Sequence, residues 1–459
     1  MPADYDFVIL GYSETGIYAA IEAARNRARV AIVEQNCQPK LSRVRILSHI
    51  TKTLDQVNRS RSFFDSDVRS LSFDTIERYI NTVERSHQEF YDPAKLASLG
   101  IEFIPGAGEF CRKPQTGFIV NGRLLRSRSY LIATDYRPAI PDPPGLSAVN
   151  FLTADQLLLK IPDSIVIIGD DPIGAEFAQV YARLGSQVTM LLRQPHLFTM
   201  ADPEAAFLVQ AALEAEGIRF INALHIHQIR QVGSKKAIEI ENYTIEADEL
   251  LVTVGWQPTI SDLNLEAMEI QEPIQLNDRL QTAHPQVYWI THPVQSIARY
   301  QTDIVLKNLS GLPIFKVDYD RAIQSIATEP EFAWIGLSES QAVRRYRKDV
   351  LVLRQPFSNL TQAQILGETT GLCKLIVRRS GEILGAHIVG ASAIELVNVI
   401  AFAMAENLSV KFFDRVSPAS PAMFEVLQNA AQEWQDLTRR NFFQDLRESY
   451  FAWQRRRAI

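Results

Sequence analysis

At 459 residues, with 46% hydrophobic and 22% charged side chains, the chain has material for roughly two to four domains with buried cores. A formal net charge of −6 argues against nucleic acid as a general partner, and no apolar stretch approaches the roughly 20 residues of a membrane span. The three cysteines, Cys37, Cys111 and Cys373, are too widely spaced for a disulfide framework or a metal cluster, and the N-terminus lacks a signal-peptide layout, so the expected location is cytoplasmic.

In chain order, residues 6–34 read as strand, glycine turn at Gly11, helix, then a second strand closing on Glu34. A basic, Ser-rich stretch follows, with a helix around Arg45–Val57. A longer helix is predicted over Phe73–Leu99, ending at Gly100. Short strands come next at Ile101–Ile104, Gly117–Val120 (before the Asn121–Gly122 turn) and Tyr130–Ala133. Arg137–Leu146 is Pro-rich and reads as a linker. Ile165–Arg193 then repeats the opening plan, with glycines at Gly169 and Gly174. A helix near Pro203–Glu216 and strands near Arg219–Ile221, Ile238–Ile240 and Glu249–Val254 complete this second unit. Strand, turn and helix entry return over Gln275–Ser296. Beyond about Glu331 the pattern is α+β, with strands at Asp349–Arg354, Cys373–Arg378 and Ile383–Val389 and a helix from Ser392 to Asn407.

The two glycine turns are of the G-x-G-x-x-G kind, whose backbone admits a diphosphate at a helix N-terminus. Their order, together with Leu131–Gly145, Pro330–Ala342 and Gly371–Met404, resembles the pyridine nucleotide–disulfide oxidoreductases, such as dihydrolipoamide dehydrogenase, glutathione reductase and mercuric reductase. The resemblance spans about residues 5–430. It implies an α/β fold of two Rossmann-like domains, an FAD-type domain (1–152 and 276–325) with an inserted NAD(P)-type domain (153–275). It also implies a C-terminal α+β dimerisation domain (326–436) that makes a homodimer. Residues 437–459, beyond most of the resemblance, read as a basic amphipathic tail helix.

The stations of that family are altered here. In the first loop, Gly11 and Gly16 stand, but the middle glycine is Ser13, whose hydroxyl is expected to donate to a phosphate; Glu34 is expected to accept from ribose hydroxyls. FAD binding and an empty Rossmann half are the two readings of this loop. The family's Ala-Thr-Gly is Ala133-Thr134-Asp135, and its Gly-Asp is Thr291-His292, where a histidine reverses the hydrogen-bond role and adds positive charge if protonated. In the second loop Asp171 replaces the middle glycine beside Asp170. A carboxylate about 4 Å from a diphosphate costs roughly 4 kcal/mol at an effective dielectric of 20, which argues against NAD(P). Arg193 sits where a basic residue favours a 2′-phosphate, or is a surface arginine. Trp256 replaces an expected arginine.

By the same resemblance, Lys40 and Glu176 are expected as an ion pair beside a flavin, or as a surface lysine and a helix glutamate. Cys37 stands alone where the family has two cysteines. It is a reactive thiol or an ordinary small residue. Ser420 replaces the histidine of the family's His–Glu dyad, although Glu425 is kept. His225 and His227 read as exposed strand residues, so no metal is expected. The tail places Phe442, Leu446, Tyr450 and Trp453 at helical spacing among arginines, a surface for a protein partner, for a membrane surface or for the chain's own dimer. Taken together, these changes lead to the expectation of a non-catalytic homodimeric scaffold with no catalytic residues. The alternative is an FAD-dependent NAD(P)H oxidoreductase acting without a redox disulfide.

Overall fold

The computed structural model describes residues 3–60, 73–113, 115–156, 160–222, 225–241, 243–438, 450–451 and 453–455. The chain divides into two compact units, Met1–Pro195 with Glu214–Ala322 and His196–Leu213 with Ile323–Ile459.

The first unit opens with β1 (Tyr5–Leu10), α1 (Glu14–Arg25) and β2 (Val30–Val33). Helix α1 starts where Ser13 caps it and buries Ile17, Ala19, Ala20 and Ala23 along one face. Next come α2 (Arg43–Ser60), α3 (Phe73–Phe90), α4 (Pro93–Ser98) and β3 (Ile101–Ile104). The single helix expected over Phe73–Leu99 is therefore two. Pro93 cannot continue a helix from α3, because it lacks an N–H and its ring clashes with the preceding turn. Asp92 instead accepts from Ala94 N and starts α4 with the proline in its first turn.

The strands β4 (Gly108–Cys111), β5 (Gly117–Val120) and β6 (Arg123–Leu125) form a small antiparallel sheet. Asn121 and Gly122, at φ 50° and 77°, turn β5 into β6 as the Asn-Gly pair predicts. The chain continues through β7 (Ser127–Ile132), β8 (Tyr136–Pro138), β9 (Leu152–Thr153), β10 (Ser164–Ile168), α5 (Pro172–Arg183), β11 (Gln187–Leu192), α6 (Pro203–Ala215) and β12 (Arg219–Asn222). Strands β13 (Ile226–Val232), β14 (Lys235–Ile240) and β15 (Tyr243–Ala247) make an antiparallel sheet, followed by β16 (Glu249–Val252), β17 (Trp256–Pro258), β18 (Val287–Trp289) and α7 (Gln295–Ser310). The expected linker is partly a strand: β8 pairs antiparallel with β17, Trp256 opposite Pro138.

Two five-stranded sheets carry the dinucleotide-type halves, in the orders β18-β7-β1-β2-β3 and β12-β11-β10-β16-β9. All pairs within both are parallel. In the first, Leu10 is in register with Val33 on one side and Ile132 on the other, and Ile132 with Trp289. The carboxyl ends of four strands therefore open at one level. In the second, Ile168 is in register with Leu191 and Val252. Such an edge is where open α/β sheets bind ligands.

The second unit folds β19 (Gln324–Ile326), β20 (Phe332–Gly336), α8 (Glu339–Tyr346), β21 (Val350–Pro356), α9 (Thr361–Leu366), β22 (Leu372–Arg378), β23 (Ile383–Val389), α10 (Ala393–Ala405) and α11 (Glu425–Thr438) around an antiparallel sheet ordered β19-β20-β23-β22-β21. Cys373, Leu375 and Val377 share a core with Leu396, Val397 and Ile400 of α10 and Val426 and Leu427 of α11. The buried Lys374 and His387 are direct cross-strand neighbours. The Lys374 Nζ lies 2.8 Å from carboxylate oxygens of Asp202, Glu204 and Glu339. Among the described residues, no helix is long and apolar enough to cross a membrane.

Candidate functional site

The β1–α1 turn is fixed by contact. Gly11 has φ +120°, and a Cβ there would lie 2.4 Å from Ala133 O and 2.8 Å from Thr134 Cα. A Cβ on Gly16 would lie 2.0 Å from Gly11 O. Both glycines are thus demanded by the close crossing of this turn with the end of β7, whatever else they admit. Ser13 departs from expectation. Its hydroxyl donates to Ala133 O at 2.7 Å and accepts from Gly16 N at 3.0 Å. With its proton committed to a carbonyl, it is a helix cap and not a phosphate donor.

Around this turn the other strand ends bring candidate groups together. Glu34 follows β2 and accepts from Gly106 N through Oε2 at 2.8 Å. Thr134 follows β7; its Oγ1 is buried and has no hydrogen-bond partner. Beside it, burial pushes the Asp135 carboxyl up to about 6, with Lys40 pulling the other way and Glu14 adding to the rise. His292 follows β18 and accepts from Val294 N through Nδ1 at 3.1 Å. Burial lowers its pKa, so near neutral pH the ring carries no charge, which corrects the expected added positive charge.

The expected Lys40–Glu176 pair is not formed. Lys40 is exposed, and its field acts on Asp135 and Cys37. Glu176, on α5 with a side chain 3% exposed, pairs instead with Arg45 of α2 at 3.5 Å. Arg45 was missed because it sits inside the predicted helix Arg45–Val57 with nothing in its spacing to mark a partner 131 positions away.

Cys37 is buried. Its Sγ accepts from Asp135 N at 3.3 Å and donates to Gln35 O at 3.3 Å, and burial pushes the thiol up to about 12. Cys373 is buried and Cys111 half-buried, and all three cysteines are free.

The second glycine turn repeats the first. Gly169 has φ +135°, and a Cβ there would lie 2.0 Å from Thr253 O; one on Gly174 would lie 2.5 Å from Thr253 Oγ1. Asp171 takes the place of Ser13 as N-cap, accepting from Ile173 N at 3.0 Å. Burial raises its carboxyl and this hydrogen bond offsets the rise. Arg193 donates its backbone N–H to Asp170 Oδ1 at 2.9 Å, and its side-chain Nε lies 3.9 Å from Oδ2. The loop's own carboxylate therefore faces the cation expected to meet a 2′-phosphate.

Ser420 is exposed and Glu425 opens α11. His225 and His227 are exposed, and no group of three or more metal-ligating side chains is gathered among the described residues. The tail lies mostly outside the described residues; Tyr450, Phe451 and Trp453 are exposed.

Comparison with known proteins places this geometry. The family model described as pyridine nucleotide-disulphide oxidoreductase matches residues 5–301, and the model of that family's dimerisation domain matches residues 323–431. A mercuric reductase of Staphylococcus aureus is 29% identical over 436 residues, covering 89% of this chain and 78% of its own. A dihydrolipoyl dehydrogenase of Synechocystis is 27% identical over 468 residues, covering 93% and 98%. The solved flavoprotein disulfide reductase RclA of Escherichia coli superposes with a TM-score of 0.77 at 23% identity, covering 93% of this chain and 99% of its own, a likeness of fold. The relatives matched along nearly the whole chain are enzymes, which overturns the expectation of a non-catalytic scaffold. Nor does a family of pyridine-nucleotide enzymes support the expectation that NAD(P) is unlikely.

Proposed function

Since this chain belongs to the pyridine nucleotide–disulphide oxidoreductase family, we propose that it is an FAD-dependent oxidoreductase that takes electrons from a reduced pyridine nucleotide and passes them on without a protein dithiol. One observation carries the reading. The first sheet's strand ends keep Gly11, Gly16, Glu34 and the orphaned Thr134 hydroxyl around one turn, while the neighbouring Cys37 is buried, protonated and without a second sulfur.

The residues fit FAD. The two glycines leave backbone open at the N-terminus of α1, whose partial positive charge favours a diphosphate. Glu34 keeps Oε1 for ribose hydroxyls while Oε2 is held by Gly106. Thr134 Oγ1 is a buried hydroxyl that gains a partner only from something not part of the fold. Lys40 lowers the cost of the buried Asp135 carboxyl beside it. When bound, FAD supplies a carrier that accepts electrons in pairs and releases them to an acceptor. The chain's own part is to seat it and to keep Cys37 protonated, so that no nucleophilic thiolate is presented beside the flavin. The match to the dimerisation domain supports a homodimer, and the partition into FAD-type (1–152, 276–325), NAD(P)-type (153–275) and dimerisation (326–436) domains is part of the same reading.

The test is the visible spectrum of the purified protein, followed by anaerobic NADH or NADPH. The expected result is stoichiometric flavin absorbance that bleaches with either donor and is unaffected by prior alkylation of accessible thiols. A colourless protein that takes up no added FAD overturns the reading.

A further inference from the structure

Glu14 is an unusual residue to find in the first turn of α1, one position after the cap and beside the glycine turn. An uncovered carboxylate there repels any diphosphate drawn to the same helix terminus. Both of its oxygens are taken by side chains from other elements. Oε1 lies 2.7 Å from His87 Nε2 on α3, and Oε2 accepts from Gln295 Nε2 in the first turn of α7. The pair is sheltered, each side chain only 17% exposed. The His87 ring packs edge-on against Tyr91, whose carbonyl accepts from the hydroxyl of Tyr12 inside the glycine turn. Three helices and the turn are thus tied at one carboxylate.

We infer that His87 is a positioning residue for FAD, which engages Glu14 and holds it off the diphosphate subsite of the β1–α1 turn. The inference rests on the flavin reading above. The charged and titratable groups around the pair are Tyr91 on α3, Arg299 on α7, whose charge acts on Tyr91 together with that of Glu14, and Asp135 after β7, on whose carboxyl Glu14 also acts. Gln295 holds Oε2 with a neutral donor, and His87 Nε2 lies against Oε1.

The experiment is a fluorescence titration of the full chain with FAD itself, for the wild type, His87→Gln, Glu14→Gln and the double variant, each checked for folding by circular dichroism. His87→Gln replaces the ring packed against Tyr91 with a flexible amide and so releases its hold on Glu14 Oε1. It is expected to weaken FAD binding about tenfold, equivalent to about 1.4 kcal/mol. Glu14→Gln should bind at least as tightly as the wild type, and adding it to His87→Gln should restore the affinity. A purely structural role of His87 predicts no such rescue. Unchanged affinity in His87→Gln, or a loss that Glu14→Gln fails to restore, overturns the inference and leaves the flavin reading standing. A wild-type chain that takes up no FAD removes both.

Discussion

The backbone N–H of Asp135 points at the sulfur of Cys37, 3.3 Å away, and the same sulfur gives its proton to the carbonyl of Gln35. A thiol in that position is held in its protonated form, because burial pushes its pKa up to about 12. At pH 8 the native protein is therefore expected to resist alkylation at Cys37 and Cys373, with labelling confined to the half-buried Cys111 until the chain is unfolded. Peptide mass mapping after iodoacetamide treatment reads this directly. Pre-reduction with NADH should not change the pattern. A Cys37 that becomes rapidly labelled after NADH would mean that a sulfur takes part in turnover.

The Arg45–Glu176 pair joins α2 to α5 through a glutamate that is nearly inaccessible and an arginine that is half exposed. Removing the cation leaves the carboxylate in a poorly solvated place, while solvent screening on the arginine side limits the loss. Arg45→Met should cost about 1–2 kcal/mol in urea unfolding. The added change Glu176→Gln should return much of it. A lysine at position 40 cannot make up the difference, since it lies on solvent, so Lys40→Met alone should leave stability within about 0.5 kcal/mol.

What the sequence made legible was whatever the backbone repeats locally. Gly11 and Gly169 take left-handed φ and Gly16 and Gly174 meet carbonyl or hydroxyl oxygen, so both turns announce themselves within a few residues. The strands on either side follow from apolar runs. What stayed hidden is set by partners distant in sequence. Ser13 looks like a phosphate donor until Ala133, 120 positions on, takes its proton. Arg45 and His87 carry no local mark of a partner, and their carboxylate partners lie on other elements. Pro93 was legible and was passed over, for the helical period of Phe73–Phe90 runs on into α4 across it.

His387 gives the second unit an acid weakness. Burial lowers its pKa from 6.5 to about 4, with Asp202 opposing the fall. In the unfolded chain this ring takes up a proton as pH drops through 6.5; in the folded unit it does not until about 4. The stabilisation is complete above pH 6.5 and is lost as pH falls toward 4, by about 3 kcal/mol over the window. Burial raises the Asp202 and Glu204 carboxyls, but Lys374 together with His387 and Glu339 N for Asp202, and with Arg354 for Glu204, holds both below their ordinary values of 3.8 and 4.5, so their stabilisation is lost as pH falls below those values. His387→Gln keeps a donor for Leu337 O and cannot ionise. Urea unfolding of this variant between pH 7 and pH 4.5 should show a flatter decline than the wild type. Identical slopes would mean that His387 is not the group responsible.

Asp171 offers the sharpest test of how the second glycine turn treats a pyridine nucleotide. Its carboxylate caps α5 through Ile173 N, which is the place a diphosphate would approach. Asparagine caps as well as aspartate, so Asp171→Asn should fold normally and differ only in charge. A full charge about 4 Å from a phosphate costs roughly 4 kcal/mol at an effective dielectric of 20, and even a third of that is tenfold in affinity. The variant should therefore bind NADH at least about tenfold more tightly in a fluorescence titration. Because burial raises the Asp171 carboxyl, the wild type should also gain affinity as pH falls and this group protonates, while the variant stays flat. If Asp171→Asn binds NADH no better at any pH, the nucleotide does not approach this helix terminus, and the electron donor must reach the flavin by another face.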